Sequence, residues 1–225
     1  METLLPIIDL FKKSFDVYVK KVWLLASTVL FSFLGFFVFL PFAITAFFIS
    51  YKPFSNSNFD INIILFDILL ALLGIFFAII LGLWSQTATL YAVKEGSITF
   101  KNLLTMAWPK IGSLFWVALL TALAVLGGFI LFVIPGIIFS VWFCFSGFVF
   151  VAENLRGASA LKKSRDLVKG YWWPVFGRLV VIGIVAGLIS SIETFGPIIN
   201  IFFMVPFATV FEYLLYQDLK RVKGI

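Results

Sequence analysis

Apolar residues in this chain gather into long unbroken runs, and the polar residues between the runs keep a helical period. At the start, Leu4, Ile8, Phe11, Phe15, Tyr18 and Val22 are spaced four, three, four, three and four. That spacing predicts one apolar stripe on a helix, with Lys12, Lys13, Asp16, Lys20 and Lys21 outside it. The runs that follow, at about 23–49, 62–93, 111–134, 137–152, 174–192 and 198–217, are predominantly apolar, with few charges. The first three exceed the roughly 20 residues that a helix needs to cross a bilayer core, the last two are close to it, and 137–152 is short. The pattern therefore predicts an all-α membrane protein with six spans.

The polar segments between the runs resemble one another. The stretch from Leu161 to Trp173, moved back 150 positions, falls on Phe11 to Trp23. Lys162, Lys163, Ser164, Asp166 and Trp173 then meet Lys12, Lys13, Ser14, Asp16 and Trp23, with Leu167 opposite Val17. A fainter third copy sets Phe100-Lys101-Asn102 against Phe11-Lys12-Lys13 and Lys110 against Lys21. Each copy leads into an apolar run. The expected unit is a basic amphipathic helix followed by a transmembrane hairpin, repeated three times (about 1–93, 94–152 and 153–225) in one membrane domain. The amphipathic helices have two open readings: apolar face in the lipid interface with lysines at headgroups, or apolar face packed on the bundle.

Within the runs, Pro41 is expected to kink or tilt the first span. The pair Pro135-Gly136 is expected to form the turn between the third and fourth. Gly74, Ala78 and Gly82, and separately Gly183 and Gly187, recur every four residues and predict close helix packing. Of the 17 Lys and Arg, only Lys52 falls on the outer side of a six-span arrangement. The positive-inside rule then places both termini in the cytoplasm, and a prokaryotic inner membrane is the expected location.

Composition narrows the chemistry. With 62% hydrophobic residues, no His and one Cys, a His/Cys metal cluster, a Cys/His nucleophile pair and an intrachain disulfide are excluded. No cofactor is expected, and Cys144 reads as a small apolar filler. The net charge of +6 in so apolar a chain points to anionic lipid headgroups and not to nucleic acid. Lys12, Lys13, Lys20, Lys21, Lys101, Lys162, Lys163, Arg165 and Lys169 are the candidate headgroup contacts. Three charged residues near the inner ends of spans, Glu153, Arg178 and Glu212, form a candidate intramembrane cluster, since such charges often mark a cargo or proton path. Arg178 also has the reach to snorkel to the interface, and Glu153 suits the start of the next helix. Asp67 belongs to the opposite half. No nucleophile and base share a depth, so an enzyme is not expected. The sequence supports a lipid-interacting scaffold or accessory module of the cell envelope. The alternative is a small transporter or channel near Glu153, Arg178 and Glu212. A homo-oligomer or a membrane-protein partner is compatible with either.

Residues Ile134-Pro135-Gly136-Ile137, Trp142, Glu153, Ala160-Leu161-Lys162-Lys163-Ser164, Leu167-Val168-Lys169-Gly170 and Trp173 resemble the membrane domain found with some glycerophosphodiester phosphodiesterases, and related YciC-like uncharacterised prokaryotic membrane proteins. The likeness covers roughly residues 95 to 220. In those enzymes the phosphodiesterase is a separate soluble domain. The resemblance therefore implies the membrane module alone, and with it a fold and a location.

Overall fold

The computed structural model describes residues 3–50, 61–95, 98–193 and 195–225, excepting the side chains at 32–50, 61–64 and 67. Among the described residues the chain is all-helical. Helix α1 covers Ile7–Ser50 and α2 covers Ile61–Lys94. Next come α3 (Phe100–Ala107), a short 3-10 turn (Trp108–Lys110), α4 (Ile111–Leu131), α5 (Val133–Phe143) and α6 (Ser146–Glu153). The remainder is α7 (Ala158–Val168), α8 (Trp172–Ser190), α9 (Gly196–Ile199), a π turn (Asn200–Met204) and α10 (Val205–Lys223).

Five helical stretches among the described residues are long and apolar enough to cross a membrane: Ile68–Lys94, Phe100–Leu131, Val133–Glu153, Trp172–Ser190 and Gly196–Lys223. By length and composition this is a multi-pass membrane protein. The remaining predicted span is the continuation of α1, whose 44 residues make a rod of about 66 Å at 1.5 Å per residue. No break separates the basic segment from the span at Trp23, and the helix runs on through Pro41. Lys52 and the side chain of Asp67 lie outside the described residues.

The elements pack with α1 against α2 and α10, α4 against α5, and α7 against α4, α5 and α6. Burial is uneven along them. In α2, Trp84, Ala88 and Leu90 to Val93 are buried, whereas Leu65, Phe66, Ile68, Leu69, Leu72, Leu73 and Ile75 to Phe77 are exposed. Lipid is as apolar as these side chains, so no hydrophobic force draws them inward. At the lysine-rich end water is present and burial is favourable. There Leu10, Phe150, Leu215 and Leu219 are fully buried. Phe148 stacks on Tyr216 with ring centroids 6.2 Å apart.

The amphipathic segments pack on the bundle. Helix α7 buries Ala160, Leu161, Ser164, Leu167 and Val168 in the protein core. The first half of α1 buries Leu10, Ser14, Tyr18 and Leu25, while Ile8 and Phe15 of the predicted stripe are 65% and 59% exposed. The buried line is rotated from the stripe because Ser14, polar by type, goes inside by donating its hydroxyl to Leu10 O at 2.7 Å. Phe11 completes that face, its ring 4.9 Å from the ring of Phe211.

The third turn differs from expectation. The reversal is made at Phe132, in extended backbone, which alone separates α4 from α5. Pro135 lies in the first turn of α5, where its missing N–H has no carbonyl to lose. Gly136 is helical and buried against the Phe129 ring, and a Cβ placed on Gly128 would come within 3.0 Å of Gly136 Cα. The close approach of two spans thus uses Gly128 and Gly136. At Gly82, Gly183 and Gly187 a Cβ would meet nothing within 4 Å, and Ala78 is exposed. Among the described residues none of these four positions makes a close helix crossing.

Candidate functional site

Polar residues collect where α2, α4, α6 and α10 diverge. Gly82, Ser85, Gln86 and Thr89 recur on one face of α2 because they are three or four residues apart. On α10 the same spacing aligns Val205, Thr209 and Glu212, and α4 contributes Thr121. The break between α5 and α6 at Cys144 and Phe145 brings Ser146 and Gly147 to the same space. Together they wall a cavity of about 660 Å³. The π turn (Asn200–Met204) that leads into α10 lies beside it, and such turns are frequent at functional sites. Ile201 and Val205 of that region also line the cavity. Asn200 holds the turn against α8 by donating to Ala186 O at 3.0 Å and to the Ser190 hydroxyl.

Most of the hydroxyls have their hydrogens committed. Ser85 donates to Thr28 O at 2.7 Å and Thr209 to Val205 O at 3.0 Å. Thr89 is 2.8 Å from Ser85 O and 2.9 Å from the Thr28 hydroxyl. Thr121 and Ser146 share a hydrogen bond of 3.0 Å. A hydroxyl has one hydrogen and two lone pairs, so these hydroxyls offer mostly acceptors, and the Gln86 amide on the same wall offers both donors and an acceptor. The Glu212 carboxylate adds further acceptors and the charge. No hydrogen bond or ion pair to Glu212 occurs among the described residues, and no Lys or Arg lines the cavity. Glu212 lies eight residues from Lys220, about 12 Å inward along the helix.

The candidate cluster of Glu153, Arg178 and Glu212 is not assembled as one site. Glu153 Oε1 accepts from Tyr216 Oη and Lys220 Nζ, both at 2.9 Å, and Lys163 Nζ is 4.0 Å from its other oxygen. Arg178 donates to Leu5 O at 2.6 Å and Pro174 O at 2.9 Å. Asp218 accepts the Leu5 N–H at 2.7 Å, so the Leu5 peptide is held from both sides. Glu212 alone faces the cavity. Glu153 is nonetheless related to it, because Glu212, Tyr216 and Lys220 follow one another at four-residue steps on α10.

The candidate headgroup residues divide in the same way. Lys12, Lys13, Lys20, Lys101, Lys162 and Lys169 are exposed. Lys21 turns inward and donates to Ala92 O, Val93 O and Glu95 O at 2.8, 2.9 and 2.6 Å. It satisfies carbonyls that a helix end leaves without partners, and its charge sits at the negative end of the α2 dipole. Lys94 does this at Val151 O near the end of α6, and Lys223 at Asp166 O and Lys169 O at the end of α7. Arg165 lies over the Trp142 ring, 4.8 Å from its centroid.

Sequence reasoning missed the hydroxyl wall and the capping lysines. The first left a signal, since Ser85, Gln86 and Thr89 are the polar residues of one face in an otherwise apolar run. The second left none, because the carbonyls that the lysines meet are up to 74 residues away. No family model matches this chain, and neither the curated proteins nor the solved structures include a match to it.

Proposed function

We propose that this chain is a small transporter or channel whose solute chamber is the cavity at Glu212, acting without covalent chemistry. The observation that carries this reading is an intramembrane carboxylate with no protein partner among the described residues, facing a largely apolar space of about 660 Å³ with hydroxyls along one side. A charge at this depth is costly unless something meets it, and a passing solute is what the cavity has room for. The Glu153, Tyr216 and Lys220 group lies further along the same α10 face, toward its C-terminal end. The lysine-rich end is cytoplasmic in this reading, and the three-unit repeat accounts for the matched burial around Ser14 and Ser164. The test is swelling of proteoliposomes in isosmotic glycerol, ammonium acetate and n-butylammonium acetate. Wild-type protein should exceed empty liposomes for at least one solute, and Glu212→Gln, at equal folded yield, should lower that rate at least tenfold. Swelling no faster than empty liposomes in all three, or an unchanged rate in the variant, overturns the reading.

A second reading rests on a different observation. Trp23 and Trp173 are 88% and 74% exposed beside exposed lysines, an arrangement suited to the headgroup layer. It supports a lipid-interacting scaffold that gathers anionic lipid. Mass spectrometry of co-purified lipid tests it, and no enrichment of anionic species over the bulk membrane would count against it.

A further inference from the structure

We infer that the cavity ligand is a small alkylammonium ion, a deepening that rests on the proposed reading of the Glu212 cavity as a solute site. Three features of the wall select it. The charge is a single carboxylate with no basic residue lining the same space, so an anion meets repulsion and a monocation meets attraction. The hydroxyls of Ser85 and Thr209 direct their hydrogens into backbone carbonyls, so beside Glu212 the wall presents lone pairs that suit a ligand with donors of its own, the Gln86 amide being the cavity's main donor. The remaining wall is apolar, with Leu114, Val117, Val125 and Phe148 facing the polar side.

A primary ammonium carries three N–H donors on one end and hydrocarbon on the other. It pairs its charge with Glu212, gives its other hydrogens to hydroxyl lone pairs, and lays its alkyl chain along the aliphatic wall. A bare metal cation satisfies the carboxylate and leaves the apolar wall unused. A cavity of about 660 Å³ is also far larger than a dehydrated sodium or potassium ion requires. An alcohol of the same size lacks the charge, and a carboxylic acid has the wrong one.

The experiment is thermal unfolding of the full chain in nanodiscs at pH 7 with n-butylammonium chloride. Controls of matched ionic strength are tetramethylammonium chloride, sodium chloride, sodium butyrate and n-butanol. Butylammonium should raise the midpoint in a saturable way. Tetramethylammonium, charged but without an N–H, should bind at least tenfold more weakly, and the other controls should give no saturable shift. Glu212→Gln should weaken butylammonium binding at least tenfold. Should that variant fold poorly, Thr209→Val removes one acceptor at nearly constant volume and should weaken binding about threefold to tenfold. Equal shifts from sodium chloride or butyrate overturn the inference, as does full binding in both variants. The assay is at equilibrium, so it separates from the transport reading. Absent amine binding with a Glu212-dependent flux of glycerol removes the ligand class alone. Amine binding with no flux of any solute removes transport and leaves the site.

Discussion

The segments around Ser14 and Ser164 share four buried positions and are built differently. Leu10, Ser14, Tyr18 and Leu25 are buried in the first, and Ala160, Ser164, Val168 and Val175 at the corresponding places in the second. Lys12, Phe15, Asp16, Val19 and Trp23 are exposed, and so are Lys162, Arg165, Asp166, Lys169 and Trp173. Yet the first is the opening of one 44-residue helix, whereas the second stops at Val168 and resumes at Trp172. The break sits at Gly170, whose φ of 90° is open to glycine and strained for other residues; the corresponding residue in α1 is Lys20. Which residues go inside is thus set by helical spacing, which the two segments share. Whether the segment continues into its span or turns before it is set by one position.

The largest effect should come from forcing the second segment to copy the first. In Gly170→Lys the new side chain has open space, since nothing lies within 4 Å of a Cβ there. Its cost is backbone strain alone, about 1–3 kcal/mol, read as a drop in unfolding free energy in a mixed-micelle titration. The reverse change, Lys20→Gly, should cost about 1 kcal/mol, through helix propensity at an exposed site. Equal, negligible costs for both would mean that the break is not held by Gly170.

A similar effect is expected where each segment has its ammonium. Lys21 is part of its own segment and caps α2 with three hydrogen bonds. Tyr171 stands at that position in the second, and the ammonium above its ring, 5.8 Å away, belongs to Lys223. That lysine comes from the far end of the chain and caps α7. Lys21→Met should cost about 2 kcal/mol, since it leaves half-buried carbonyls without a donor. Lys223→Met should cost about 1 kcal/mol, because water reaches the carbonyls it uncovers. The same titration checks both, and a loss at Lys223 larger than at Lys21 would reverse the argument.

How much of this was legible in the sequence depends on range. The helical class, the apolar runs at α2, α4, α8 and α10, and the likeness of the two segments follow from local spacing, and the structure contains helices at all of them. The buried face of α1 was misjudged because Ser14 counts as polar until its bond to Leu10 O is seen. The Pro135-Gly136 turn was misplaced by three residues because the proline begins α5 and the glycine serves Phe129. Glu212 was singled out on its type and depth. Its separation from Glu153 and Arg178 was not readable, because each of those charges is taken by partners from other elements, Tyr216 and Lys220 for one and Leu5 for the other.

The smallest expected difference isolates that dependence on partners. Ser14 and Ser164 are the same residue at corresponding positions, and both are fully buried. Ser14 bonds to Leu10 O one turn back in its own helix, a carbonyl already engaged by the helix ladder. Ser164 reaches across from α7 to Trp142 O at 2.7 Å, beside the point where α5 ends. Removing a hydroxyl that only bonds back along its helix changes little, so Ser14→Ala should stay within about 0.5 kcal/mol of wild type. Removing the hydroxyl that reaches from α7 to the Trp142 carbonyl should cost about 1 kcal/mol in Ser164→Ala. Equal costs would mean that burial, common to both, decides the role of this serine. A larger cost at Ser164 would mean that its partner decides, and that two segments alike in sequence and burial have been tied into the bundle by different bonds.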